Sequence, residues 1–413
     1  MTPAGLAEVL ATFGPAYLAA QSLPRGAAKV WRAILACRTA ALGGHVESCT
    51  GCGMSRHIYH SCRNRHCPRC QTRAKEAWLA ARRREVLPVP YFHLVFTLPH
   101  DLNGLIAAAP RRLYENLFAA TAATLTEFAG SPRHLGGVPA FSLVLHTWKQ
   151  DLGRHVHVHA LVAGGALSDT GEWIRPKKGF LFPVRALSRV FRGKFIGGLD
   201  GLRRQGHLPD FLDPVGWQRL KQRLYAHDWV VYAKQPLGGP EAVLEYLGRY
   251  THRVAISNER IVGIEDDQVA FRGRADADGR KRTLRLSGSE FIARFLLHVL
   301  PAGFKRIRHY GLLSPARKKA GAHGGTLGTG RPAAGTRIDR IGGRIPAPGG
   351  PPGVDVLSAL RWATSGHRHA LAARQGQCSG TAMKRGFHRL LRVSCRALRL
   401  FAGKFIRMFA SDW

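Results

Sequence analysis

The sequence predicts an α+β fold, and three observations carry that expectation. Apolar runs of strand length, Tyr91–Leu98, Phe141–Trp148 and His155–Ala163, are separated by stretches with helical spacing. Only about six residues separate the last two runs, so antiparallel pairing is expected. Two Cys-x2-Cys pairs, Cys49/Cys52 and Cys67/Cys70, stand ahead of the strands with fourteen residues between them. That spacing predicts a helical, zinc-ribbon-like module before the main sheet.

The elements follow in order. Residues 1–40 place Leu6, Val9, Leu10, Phe13, Val30, Ile34 and Leu35 at helical intervals. Residues 45–72 hold the Cys/His cluster, and a basic helix is expected from about Thr72 to Val86. Pro88 and Pro90 break the chain, and Pro99 ends the strand that begins at Tyr91. A helix is expected up to about Ala129. Gly164 and Gly165 mark a turn after the His-rich strand. Residues 181–227 read as helical and basic, Trp229–Ala233 as a short strand and Glu241–Arg253 as a helix. Val254–Ser257 and Gln268–Arg272 read as strands around a turn, and Glu290–Val299 as a helix. Residues 320–353 are rich in Gly, Pro and Ala, the composition of a linker or a disordered segment. The closing stretch Lys384–Phe409 is basic and amphipathic. Three regions result: 1–90, zinc-binding and DNA-binding; 91–313, catalytic; and 314–413, a basic linker and tail, partly disordered.

Charge narrows the function. There are 62 Lys and Arg against 26 Asp and Glu, a formal charge of +36, and the isoelectric point is near 11.1. A polyanion is the natural partner, because each phosphate contact releases counterions. The N-terminus carries Glu8 and lacks a basic start, so it reads as a helix rather than a secretion signal. No apolar run has membrane-spanning length. A cytoplasmic, nucleoid-associated bacterial protein is the expectation, with DNA and no membrane as partner.

Five of the eight cysteines fall between Cys49 and Cys70. Clustered pairs suggest metal rather than disulfides. Cys49, Cys52, Cys67 and Cys70 are the expected ligands of a structural Zn2+. Cys62 or His66 could replace one thiolate or help hold a second ion, and His57 and His60 lie nearby. Arg56, Arg63, Arg65, Arg69 and Arg73 suggest that the module touches DNA; a pure folding staple is the alternative.

Arg154-His155-Val156-His157-Val158-His159-Ala160-Leu161-Val162 carries the chemistry. A strand sends alternate side chains to opposite faces, so His155, His157 and His159 share one face, and Val158, Ala160 and Val162 share the other. Neighbouring imidazoles on a strand can hold one divalent ion. The helix Gly239–Arg253 has Pro240 and Glu241 at its start and Arg249 and Arg253 at its end. Tyr246 and Tyr250 are four apart and share a face. Phenols beside guanidinium groups suit attack on a phosphodiester, with Arg249 holding the phosphate. An amphipathic helix burying two aromatics is the plainer alternative.

Taken together, these blocks resemble the two-tyrosine HUH transposases of the insertion-sequence-ninety-one family, relatives of rolling-circle replication initiators. The resemblance covers roughly residues 10–313. It rests on Ser61-Cys62-Arg63-Asn64-Arg65-His66-Cys67-Pro68-Arg69-Cys70-Gln71, on His93-Leu94-Val95-Phe96-Thr97-Leu98-Pro99 and on His157-Val158-His159-Ala160-Leu161-Val162. Tyr246-Leu247-Gly248-Arg249-Tyr250 through Asn258, and Arg294–Pro301 through His309-Tyr310-Gly311, complete it. The resemblance implies a central antiparallel sheet flanked by helices, with the His strand in the middle. It implies Mg2+ or Mn2+ on His157 and His159 plus a third polar ligand, for which His155, Gln150 and His252 are candidates. It also implies a tyrosine nucleophile that cuts single-stranded DNA, leaving a 5′-phosphotyrosine and a free 3′-hydroxyl, in rolling-circle transposition of an insertion sequence. The tail from Ser314 departs from the family's pattern. A decayed, zinc-dependent DNA-binding protein is the competing expectation. An acidic-triad nuclease is disfavoured, because carboxylates are scarce and Asp151 is the nearest candidate.

Overall fold

The structure, a computed structural model, describes residues 4–83, 86–176, 181–208, 213–237, 242–243, 248, 254–274 and 280–317. The chain divides into two units, Met1–Cys37 with Ser61–Leu327, and Arg38–His60 with Gly328–Trp413.

The first unit is α+β. Its main sheet holds β3 (Tyr91–Thr97), β4 (Val138–Trp148), β5 (Arg154–Leu167), β7 (Val231–Leu237) and β11 (Ile307–Gly311), in the order β11-β4-β5-β3-β7. The short β6 (Trp173–Ile174) pairs with β5. Every pairing is antiparallel, and β5, the His strand, is central. Strand alternation decides the faces. Val156, Val158, Ala160 and Val162 are all buried with Phe92, Leu94, Phe96, Phe141, Leu143 and Leu145. Helices α5 (Pro110–Gly130) and α6 (Val184–Arg204) cover that face with Leu117, Phe118, Leu125, Phe191 and Phe195. Phe96 meets Phe191 edge to face at 5.1 Å. Two smaller helices, α4 (Asn103–Ala108) and α7 (Pro214–Ala226), complete this layer. The opposite face of β5 carries the histidines.

A second core lies beside the sheet. Helices α1 (Leu6–Ala20), α2 (Arg25–Ala36) and α8 (Gly288–Leu296) pack with a three-stranded sheet of β8 (Ile261–Glu265), β9 (Gln268–Arg274) and β10 (Lys281–Ser287). Gly288 lets α8 approach Phe13 of α1 so closely that a Cβ there would overlap the ring. Cys37, Cys67 and Cys70 belong to this same core, with Phe271, Phe291 and Phe295. The basic helix is α3, spanning Pro68–Arg82. In the second unit, β1 (Gly44–Ser48) and β2 (Ser55–Tyr59) form a hairpin.

Most expected elements are present with shifted ends. Six strands among the described residues, β1 (Gly44–Ser48), β2 (Ser55–Tyr59), β6, β8, β10 and β11, are not anticipated by the sequence reading. Val254–Ser257 is not a strand: Ala255 and Ile256 are buried as an irregular segment against the second core. Three apolar residues, Val254, Ala255 and Ile256, are buried there without any ladder. Among the described residues, no helix is long and apolar enough to cross a membrane.

Buried His298 joins the two cores. One ring nitrogen lies 2.9 Å from the Leu152 carbonyl, which accepts, and the other lies 3.1 Å from the Thr147 hydroxyl. Burial lowers its pKa to about 4 from 6.5, aided by Arg154 and opposed by the Leu152 bond and Asp151. The unfolded chain therefore takes up a proton that the folded chain refuses. The stability this neutral ring contributes is full above pH about 6.5 and falls as the pH drops toward 4. The urea midpoint is expected to fall more steeply from pH 7 to pH 5 in the parent protein than in His298→Gln; parallel slopes would contradict this.

Candidate metal centres and the nucleophile segment

The imidazole centre is built by register. β4 pairs with β5 so that His146 lies opposite His157, and Val144 opposite His159. Directly opposed residues in an antiparallel pair point to the same face, so His146 joins the histidine face. His159 Nε2 lies 3.1 Å from His157 Nε2 and 3.0 Å from His146 Nδ1. These three residues form a possible metal-binding group, with their ligand atoms within 4.8 Å of one another. Nitrogens about 2.1 Å from one ion and at right angles to each other stand about 3 Å apart, so the donor set fits a divalent cation.

The surroundings set the tautomers. The His155 carbonyl lies 3.0 Å from His157 Nδ1 and can only accept, which leaves the His157 Nε2 lone pair for a metal. His93 on β3 is 3% exposed. Its Nε2 sits 2.9 Å from His159 Nδ1, and the two rings stack with centroids 5.1 Å apart. Burial, with the charges of Lys234 and His157, lowers the His93 pKa to about 3. A neutral His93 can accept the His159 Nδ1 proton, again freeing Nε2 for a metal.

His146 is the candidate ligand that sequence reading missed. Of the three expected candidates, His155 faces His100 instead, with 3.3 Å between ring nitrogens. The Gln150 backbone carbonyl accepts from the Arg260 guanidinium, and His252 lies outside the described residues. The sequence carries the signal: the apolar run Phe141–Trp148 pairs with β5, and a short turn brings His146 opposite His157.

The thiol centre differs from expectation. Cys67 and Cys70 cluster with Cys37 and Cys62, and all four sulfurs lie within 4.8 Å of one another. Cys37 and Cys62 Sγ each stand 3.6 Å from Cys70 Sγ. The edge of a Zn–S4 tetrahedron is about 3.8 Å, so the cage fits zinc. Cys49 and Cys52, the other expected ligands, are not in this group. They sit on the β1–β2 turn of the second unit, where Cys49 N–H donates to Met54 O at 2.8 Å and Gly53 takes φ +70°. The reason is topological. Residues 38–60 form an excursion closed at its base by Arg38 N–H to His60 O at 3.0 Å, so positions 37 and 62 meet although far apart in sequence. Burial pushes the Cys62 thiol up to about 12 and raises Cys67 further, the neighbouring sulfurs adding to it. A bound cation would reverse that penalty.

Cys37 and Cys67 are fully buried at the ends of α2 and α3. Cys67 is the N-cap of α3, and Cys70 lies in its first turn. His66 is not in the thiol group; its Nε2 accepts from Leu300 N–H at 3.4 Å, and burial lowers its pKa to about 3. Several arginines expected to meet DNA bind the protein itself. Arg65 donates to the Pro301 carbonyl at 2.8 Å and also to Phe304 O. Arg69 donates to Cys37 O at 3.2 Å and Glu8 at 2.6 Å. Arg56 pairs with Glu47 at 2.6 Å.

Tyr246, Arg249 and Tyr250 lie outside the described residues. Their neighbours Val243 and Gly248 are described. Val243 is fully buried in a cluster with Tyr91, Ala140, Leu161 and Ala163, against which Trp78 and Leu79 of α3 pack. Leu161 and Ala163 continue the face of β5 that carries His157 and His159.

Known proteins share these blocks. A family profile described as "Putative transposase" matches residues 140–320, and one described as "Transposase zinc-binding domain" matches residues 9–98. "Putative transposase y4qJ" of Sinorhizobium fredii is 49% identical over 317 residues, covering 75% of this chain and 80% of that protein. The transposase for insertion sequence element IS801 of Pseudomonas savastanoi pv. phaseolicola is 29% identical over 289 residues, 68% of each chain. Among solved structures, the metal-bound conjugative relaxase TrwC in complex with OriT DNA matches with 17% identity and a TM-score of 0.22. That match covers 31% of this chain and 50% of the relaxase chain.

Two outcomes test the ligand sets. His146→Ala is expected to weaken Mn2+ binding by about tenfold or more, as His157→Ala does, while His155→Ala changes it little, read by calorimetry. Equal loss in all three would contradict the triad. For zinc, Cys37→Ser is expected to destroy the thiol site and release its ion in a chromogenic chelator assay, whereas Cys52→Ser leaves that ion bound. The reverse pattern would restore the expected Cys49/Cys52 set.

Proposed function

The chain belongs to the insertion-sequence-ninety-one type of two-tyrosine transposases, which carry an N-terminal zinc-binding domain; from that premise we propose that it cleaves and rejoins single-stranded DNA at the ends of an insertion sequence through a tyrosine-linked intermediate. One observation carries the reading. Val243 is buried on Leu161, two positions along β5 from His159 and on the same face. Two strand positions span about 7 Å. Chain geometry keeps the Tyr246 Cα within about 11 Å of the Val243 Cα. Val243, three residues before Tyr246 in sequence, is thus anchored on the face of β5 that carries His157 and His159, which supports this reading.

His146, His157 and His159 would hold Mg2+ or Mn2+, which when bound supplies Lewis-acid stabilisation of the charge developing on the scissile phosphate. His93 and the His155 carbonyl fix the ring tautomers that point the donor nitrogens inward. A phenol oxygen of Tyr246 or Tyr250 attacks phosphorus, and the bond from phosphorus to the 3′-oxygen breaks. The products are a 5′-phosphotyrosine and a free 3′-hydroxyl, with the phenol proton passing to solvent or base and the leaving oxygen taking one up. Arg249 steadies the phosphate. The phosphotyrosine keeps the bond energy, so rejoining needs no nucleotide. The thiol cage is structural, because its four protein ligands leave no open position. The net charge of +36 draws the polyanion, and the site of action is the bacterial nucleoid.

Incubation of the full chain with a labelled single-stranded end oligonucleotide and Mn2+ tests this. A denaturation-resistant adduct is expected in the parent, lost in the double variant Tyr246→Phe, Tyr250→Phe and reduced at least about a hundredfold in His157→Ala. Undiminished cleavage by the double phenylalanine variant would overturn the nucleophile assignment. An adduct-free parent that still binds the DNA would favour a binding protein instead.

A further inference from the structure

We infer that Cys49 and Cys52 are half of a second zinc site, which the same pair from another copy of this chain completes. The site does not depend on the cleavage reaction.

The turn preorganises the two sulfurs. Cys49–Met54 is closed by two backbone bonds, Cys49 N–H to Met54 O at 2.8 Å and Gly53 N–H to Cys49 O at 2.9 Å. Gly53 takes φ +70°, in the left-handed region that favours glycine. Inside the turn the backbone N–H groups of Gly51 and Cys52 donate to the Cys49 sulfur, and the two thiols are hydrogen-bonded to each other. Amide donors aimed at a sulfur favour the thiolate, which is the form that ligates metal.

Two thiolates leave zinc half coordinated, because a structural Zn2+ takes four ligands. Cys37, Cys62, Cys67 and Cys70 already make a complete set, and among the described residues Cys49 and Cys52 belong to no group of three or more donors. The turn is open to an outside pair. Cys52 is exposed, as are Thr50, Gly51, Gly53 and Met54. Residues 48–55, Ser-Cys-Thr-Gly-Cys-Gly-Met-Ser, include no Lys, Arg, His, Asp or Glu. Two copies of a chain with net charge +36 repel each other, but uncharged tips with small side chains can approach. Two such tips related by a two-fold axis bring four thiolates together, the set that closes a zinc tetrahedron.

The hairpin itself needs a staple. β1 and β2 pair over five residues each. Within residues 44–60 Cys49 alone is buried, while Val46, Met54 and Tyr59 are 54%, 63% and 43% exposed. A two-stranded hairpin without a core is marginal in water, and metal binding at its tip supplies folding free energy that burial does not.

Sedimentation velocity of the full chain, loaded with Zn2+ and free of DNA, tests this. The parent is expected to run as a dimer that withstands a thiol reductant and reverts to monomer on chelation. Cys52→Ser keeps all four cage thiols. It is expected to stay monomeric, to hold half a Zn2+ per chain less than the parent, and to lose amide protection over residues 44–59. Where chelation also empties the cage, Cys52→Ser decides. A Cys52→Ser protein that dimerises and binds zinc like the parent overturns the inference. So does a monomeric parent, whether it lacks the extra ion or holds it with donors from its own chain. A dimer dissolved by reductant rather than by chelator is a disulfide and overturns it as well.

Discussion

The register between β4 and β5 is the constraint on which the rest depends. His146 joins the group of three imidazoles only because it lies opposite His157. A slip of one residue would turn it to the helix side and leave two imidazoles. The register is held by the other face, where Leu143, Leu145, Val158 and Ala160 are all buried. Each large apolar side chain so buried contributes about 1.5–3 kcal/mol, so a slip that exposed them would be strongly disfavoured. Hydrophobic burial on one side of the sheet thereby fixes the geometry of polar chemistry on the other. The next strand adds to it: β3 carries His93 to within 2.9 Å of His159.

The thiol centre obeys a different logic. Its ligands come from a helix end, a loop and the start of a second helix, with the excursion 38–60 between them. It is integral to the second core, because Cys37, Cys67 and Cys70 are buried with the aromatic residues of α8 and β9. Arg65, next to the cage, reaches the carbonyls after α8. Zinc binding and the folding of that core are therefore coupled, rather than confined to a detachable module.

Much of this was legible in the sequence because periodicity is a local property. Alternation in 155–162 identified the histidine face, and the same alternation separated it from the buried valines. The strand at Phe141–Trp148 was legible too, yet His146 was passed over, since choosing a ligand on a neighbouring strand requires the register and not only the strand. The thiol set was harder. Two Cys-x2-Cys pairs suggest one cage, but an isolated Cys37 inside a helical pattern carries no local mark of coordination. Only the closure of residues 38–60 into a hairpin makes it a neighbour of Cys62. Val254–Ser257 shows the converse: a β-rich composition chosen for burial, where the local signal for a ladder has no partner strand.

Electron spin echo spectroscopy of the Mn2+-loaded protein tests the register most directly, because it counts the imidazole nitrogens bound to the ion. Three are expected in the parent and two in His146→Gln. Two in both proteins would place His146 away from the metal and contradict the account.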